Sequence, residues 1–280
     1  PSLGDWLAMG KGIAWQAMHN NPVSNAFIVH DLKVISETAE RLGKKADADR
    51  YRRQMEATTE AYIRKFVSKK GIVAKDYQSA YIMALKFVLP EGELREQVKK
   101  NFAANIRKNG LQTGFFATEH LLPLLVEAGE TELAYDILLQ EGCPGWMYQV
   151  KCGATTTWER WDALKPDGTV NEEKMAGSGD NMVSFNHYAF GSVGEFYYQY
   201  ILGIKPQKPG FAELHFEPYP DRRLGGVSGS YLSRAGKIES SWKYEEDGCH
   251  ISLNTPVKSE VVLPDGKKET VEAGTYQWLC

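Results

Sequence analysis

Between residues 24 and 43 the apolar positions Ile28, Leu32, Ile35, Ala39 and Leu42 recur at steps of 4, 3, 4 and 3. That spacing puts them on one face of an amphipathic helix, with Ser24 or Asn25 as its N-cap and Gly43 as its stop. The next stretch repeats the pattern through Ala48, Tyr51, Met55, Tyr62 and Phe66, and the intervening GKKADAD is only long enough to turn the chain, so the two form a helical hairpin. Further helices are predicted over 77–88, 91–108, 118–128 and 130–141, punctuated by Pro90, Asn109-Gly110, Gly129 and Gly142, and an aromatic helix over 184–202. One-sided helices joined by short turns bury their apolar faces against one another, as in a bundle, a solenoid or a closed ring of hairpins. No fixed repeat period runs through the chain, which places the ring above the solenoid.

After GIKPQKPG the spacing changes. Pro206 and Pro209 stop any helix, and the apolar spacing drops to two: Ile238, Ser240, Trp242 and Tyr244, then Cys249, Ile251 and Leu253, with Asp247-Gly248 as a hairpin turn between them. Asp265-Gly266 and Ala273-Gly274 supply further turns before TYQWL. The prediction is a mainly α chain with a β domain, residues 1–204 helical and 205–280 an antiparallel β-sandwich.

Composition narrows the function classes. The 280 residues are 42% hydrophobic and 25% charged, a globular balance sufficient for a sizeable core, and a net charge of -3 provides no footprint for nucleic acid or an anionic membrane surface. No apolar run reaches the length of a membrane span. Cys143, Cys152, Cys249 and Cys280 form no CxxC pair and lack histidines at zinc spacing, so free thiols are expected ahead of a Cys143–Cys152 disulfide, and neither metal nor cofactor is implied. The start at Pro1, with SLGDWL reading as protein interior, leads to the expectation of a fragment.

Chemistry is expected in the longest stretch without helical periodicity, 142–188, which gathers Trp146, Tyr148, Trp158, Glu159, Arg160, Trp161, Asp162, Asp180, Asn186 and His187. Aromatic faces beside carboxylates and amides suit a sugar, whose C–H face packs on an indole while its hydroxyls need placed donors and acceptors. No phosphate loop appears, GVSGS does not match a nucleophile elbow, and GSGD at 177–180 reads as a turn. Taken singly, Glu159 is also a surface acid paired with Arg160 or Lys165, Trp158 and Trp161 core anchors, and His187 an imidazole satisfied by backbone. Their concentration in one irregular segment is the argument for a site.

GATTTWERW, SFNHYAFGSVGEFYYQYILGI and PGFAELHFEPYP, together with GDWL, LQTGFFATEHLLPLLVEAG and VEAGTYQW, resemble the C-terminal part of the bacterial α-L-rhamnosidases of glycoside hydrolase family 78 over nearly the whole chain. The resemblance implies part of an (α/α)6 toroid of six hairpins followed by a β-sandwich, with the seven predicted helices forming part of twelve. It implies inversion at the anomeric carbon by a general acid and a general base, with Glu159 as the base; inversion needs the carboxyls about 6.5–9.5 Å apart, and a base must stay ionised, through hydrogen bonds or the nearby Arg160. Trp158, Trp161 and His187 would contact the rhamnose ring, and Asp5 and Trp6 its hydroxyls and face. The family's acid lies in an RDER-like motif upstream of GDWL, and no such motif occurs in these residues. The implied partners are a rhamnose-containing glycoside or polysaccharide and the upstream part of the same polypeptide; the compartment stays open, with the bacterial periplasm or exterior ahead of the cytoplasm. Another inverting toroid glycosidase, a glycoside phosphorylase and a non-catalytic carbohydrate-binding protein are the alternatives. A phosphorylase needs a basic phosphate site, and residues 150–190 hold no basic cluster.

Overall fold

The computed structural model describes residues 4–10, 15, 19, 21–172 and 183–280, which form two compact units divided between Gly191 and Ser192. GSGD and Asp180 lie outside the described residues.

Among its described residues the first unit contains three helical hairpins. They are α1 (Asn21–Arg41) with α2 (Lys45–Phe66), α3 (Gln78–Met83, continued by a π-helical turn Ala84–Val88) with α4 (Glu93–Asn109), and α5 (Phe115–Glu127) with α6 (Thr131–Leu139). α1, α3 and α5, the first helices of the three hairpins, pack side by side. Tyr81, Ile82, Met83, Phe102, Ile106, Leu121, Leu125 and Tyr135 are fully buried and form the core.

The helical period is right for α1, but its expected buried face is not. Val23, Ala26, Val29, Ser36 and Ala39 are buried, whereas Ile28, Ile35 and Leu42 are 47%, 43% and 67% exposed. The helix carries two apolar stripes, and the one with the smaller side chains allows the closer approach to neighbouring helices; periodicity alone does not choose between them. On α2, Ala48 and Tyr62 are buried while Tyr51, Met55 and Phe66 are half-buried.

Two other departures shape the site. The irregular stretch contains a short helix, α7 (Trp146–Lys151), too short to show a period, and the aromatic helix begins at Ala189 rather than 184 because residues 184–187 are paired with another segment.

The aromatic helix crosses into the second unit: a 3-10 turn Ala189–Ser192 ends at its first residue and leads into α8 (Val193–Phe196) and a π turn Tyr197–Ile201. Its end belongs with the strands: the carbonyls of Ile201 and Leu202 accept hydrogen bonds from the Trp242 indole and the Ser240 hydroxyl, both at 2.7 Å. Eight strands follow. β1 (Ile204–Pro206), β2 (Leu214–Phe216), β6 (Ser259–Val262) and β7 (Lys268–Val271) form one sheet in the order β1-β2-β6-β7. β3 (Gly226–Ser233), β4 (Gly236–Glu245), β5 (Gly248–Thr255) and β8 (Gly274–Leu279) form a wholly antiparallel second sheet. The first sheet departs from the antiparallel expectation at one pair, since β2 and β6 run parallel. The alternating residues Ile238, Ser240, Trp242, Cys249, Ile251 and Leu253 are buried as their spacing predicts, and the Phe216 and Trp278 rings meet between the sheets at 6.0 Å.

Candidate functional site

Three sequence-distant blocks converge on residues 113–117, the entrance to α5. Helix N-termini leave backbone amides without intrahelical partners, and here a residue more than a hundred positions away accepts from them. Asp5 Oδ1 accepts from the amides of Phe116 (2.8 Å) and Ala117 (3.1 Å), while Oδ2 accepts from the Gly114 amide (2.7 Å) and the Ser79 hydroxyl (2.6 Å). The Phe115 amide donates to the Trp6 carbonyl at 3.0 Å. Gly114 is required by this close approach, because a Cβ there would lie 2.2 Å from the Trp6 carbonyl oxygen. From the other side, the Trp161 indole donates to the Thr113 carbonyl at 2.8 Å, and the Phe115 ring lies 4.7 Å from the His187 imidazole.

Residues 156–159 lie against 184–187. The Glu159 amide donates to Ser184 O and the His187 amide to Thr157 O, both at 2.9 Å, and the Thr157 hydroxyl returns a bond to His187 O at 2.6 Å. This pairing joins the WERW and SFNHY segments, with Glu159 opposite Ser184 and His187 opposite Thr157, and both Glu159 and His187 are half-buried. The Ala189 amide donates to His187 Nδ1 at 3.2 Å, so the neutral ring carries its proton on Nε2, a donor suited to a hydroxyl oxygen.

The structure corrects three expectations. Arg160 does not serve as the guanidinium beside Glu159: its Nε donates to Asp162 Oδ1 at 3.1 Å, and Asp162 Oδ2 accepts from Asn171. Trp158 and Trp161 present no face to a ligand, being 3% and 1% exposed. Trp161 stacks on Phe190 at 3.8 Å and meets Trp146 edge-on, and Trp158 packs edge-on to Tyr148 and Phe185. Asp5 is 1% exposed with both oxygens engaged by four donors of the chain itself; burial pushes its pKa up, opposed by those hydrogen bonds.

Trp6 alone of the three named tryptophans is half-buried, and no aromatic ring among the described residues covers it. Sequence reasoning missed Phe115, Phe185 and Tyr188. Tyr188 is 86% exposed and stacks on His187 at 5.0 Å, while Phe185 is 41% exposed. Phe115 was masked by its place in an otherwise ordinary helix start, and the one signal for Tyr188 is its position next to the histidine. A recess of about 770 Å3 among Lys33, Glu40, Arg52, Glu56 and Arg95 has neither indole nor imidazole, so volume does not locate the chemistry.

Residues 1–201 match the model of the bacterial alpha-L-rhamnosidase 6 hairpin glycosidase domain, and residues 203–277 that of the bacterial alpha-L-rhamnosidase C-terminal domain. The chain belongs to the bacterial α-L-rhamnosidase family. It is 35% identical over 274 residues to an alpha-L-rhamnosidase of Alteromonas sp. (strain LOR), covering 94% of this chain and 29% of the relative. A Streptomyces avermitilis alpha-L-rhamnosidase is 32% identical over 273 residues, 96% of this chain and 25% of the relative. Among solved rhamnosidase structures, that of Aspergillus terreus superposes with a TM-score of 0.89 at 29% identity, covering 99% of this chain and 32% of that one. The Streptomyces avermitilis enzyme complexed with L-rhamnose gives 0.88 at 29% identity, covering 99% and 28%. This rhamnosidase-family chain therefore spans about a quarter to a third of the length of these relatives.

The four cysteines are free. Among the described residues, one trio could converge on a metal ion, Glu245, Asp247 and His250 in the second unit; there Asp247 accepts from His250 and Glu245 pairs with Lys243.

Proposed function

We propose that this chain carries the general-base side of an inverting α-L-rhamnosidase site, with Glu159 deprotonating the water that attacks the anomeric carbon. The observation that supports the reading best is the backbone pairing of 156–159 with 184–187, which joins the segment of the half-buried Glu159 to that of His187, an imidazole whose Nε2–H is a donor. Glu159 accepts the water proton as the C–O bond forms on one face of the sugar and the glycosidic bond breaks on the other. The proton for the leaving oxygen comes from an acid assigned outside residues 1–280, since no RDER-like motif occurs within them. His187 donates to a sugar hydroxyl, and Trp6, with Phe115 and the exposed Tyr188, supplies the apolar surface first assigned to Trp158 and Trp161. L-Rhamnose, the sugar in the Streptomyces avermitilis complex, is assigned to this surface.

The test is Glu159→Gln in the full-length protein. It preserves size and hydrogen bonding but removes the basic lone pair, so kcat falls by about 10²–10⁴-fold while rhamnose affinity changes little. Azide, a nucleophile that needs no deprotonation, restores part of the rate and yields the inverted β-rhamnosyl azide. A near-normal kcat for Glu159→Gln would return WERW to a structural loop.

A further inference from the structure

The sequence offers Asp5 as a partner for sugar hydroxyls, but its carboxylate has no capacity left for one. Both oxygens are taken by three amides and one hydroxyl at 2.6–3.1 Å, in a group 1% exposed. What those bonds hold is specific. The donors Gly114, Phe116 and Ala117 frame Phe115, whose own amide is bonded to Trp6 and whose ring rests on His187. The turn that carries Trp6 is closed by the Ala8 amide donating to the Asp5 carbonyl at 3.2 Å, and within it Leu7 has a left-handed φ of 56°, a conformation that persists only when its surroundings impose it. One buried carboxylate therefore ties the Trp6 turn to the entrance of α5.

We propose that Asp5 is a positioning residue: it fixes Trp6 and Phe115 relative to one another so that the indole and the His187 imidazole present a single sugar-binding surface, and it does not itself touch the sugar. The inference rests on the rhamnose-site reading given above. Asp5→Asn keeps the shape, but its amide nitrogen must face donors on one side of the clamp, either Gly114 N–H and Ser79 O–H or Phe116 N–H and Ala117 N–H, and donors facing donors open it. Charge-assisted bonds to amides are the strong kind, so the loosening is local but large.

The experiment combines L-rhamnose affinity with the 19F signal of 5-fluorotryptophan at Trp6, assigned through Trp6→Phe, in protein checked to be folded by circular dichroism. In Asp5→Asn the Trp6 signal shifts or broadens and the Kd for rhamnose rises at least tenfold. A folded Asp5→Asn with the wild-type signal and affinity would show a cap that serves stability alone and overturn the proposal. Loss of affinity with an unmoved Trp6 signal would show direct contact with the sugar and overturn it as well. Where Asp5→Asn does not fold, Ser79→Ala removes one of the four donors; a roughly threefold weaker affinity with a shifted signal supports the proposal, and no change in either overturns it. Should the wild type bind no rhamnose, the site reading fails while the Trp6 signal in Asp5→Asn still decides the positioning: a shift supports it and its absence overturns it.

Discussion

At the residue scale, the tryptophans separate by what covers them. Trp158 and Trp161 are both buried, and replacing either with alanine is expected to lower stability by about 3–5 kcal/mol, the range for large aromatic truncations, visible as a lower urea midpoint. Trp6→Ala should do the reverse, leaving the midpoint nearly unchanged while weakening L-rhamnose binding, measured by calorimetry. Equal stability losses for Trp6 and Trp161 would mean that Trp6 is one more core side chain. Within WERW the indoles are covered, the buried guanidinium turns to Asp162 and Glu159 alone stays half-buried.

At the element scale, the entrance of α5 depends on contact too close for any side chain. Gly114 has φ of −100°, which any residue adopts, so its need for glycine comes from contact and not from conformation: a Cβ would meet the backbone of Trp6, Asp5 and Ala8 at 2.2, 2.7 and 2.8 Å. Gly114→Ala is expected to cost about 1–3 kcal/mol, as overpacking does, and to expose the Phe116 and Ala117 amides to hydrogen exchange; unchanged protection there would refute the tie. In the second unit, Glu217 accepts from His215 and Lys205 at 3.2 and 3.0 Å, and these bonds, the His215 bond foremost, pull its pKa down to about 2 against some cost of burial. A carboxyl whose folded pKa lies below its unfolded value of 4.5 contributes stability that is complete above pH 4.5 and is lost as the pH falls through about 2. Urea midpoints should therefore drop across that window, and Glu217→Gln should flatten the drop.

At the scale of the whole molecule, the stripe Ile28, Ile35 and Leu42 is an apolar surface of a kind that soluble proteins ordinarily cover. The described hairpins number three, the matched domain carries six in its name, and the relatives are three to four times longer. We propose that this face of α1 packs on a further helix of the full-length polypeptide. The 280-residue chain alone should then self-associate in analytical ultracentrifugation and bind a hydrophobic dye, and the combined Ile28→Lys, Ile35→Lys and Leu42→Lys substitutions should reduce both with the helical circular dichroism intact. A dye-silent monomer would count against the docking face.

The sequence by itself determined the order of helices before strands, the existence of the hairpins and the inward face of β4 and β5, because each follows from a local period of 3.6 or 2 that the chain cannot satisfy another way. It also marked the WERW and SFNHY blocks, whose residue types are costly to place without a reason. Tertiary structure alone decided which of the two stripes of α1 is buried, which tryptophan keeps a half-open face, and that Asp5 spends its charge on amides 109 to 112 residues away. These are questions of what covers a side chain, and the covering atoms come from segments far off in the sequence, so no pattern within a single segment records them.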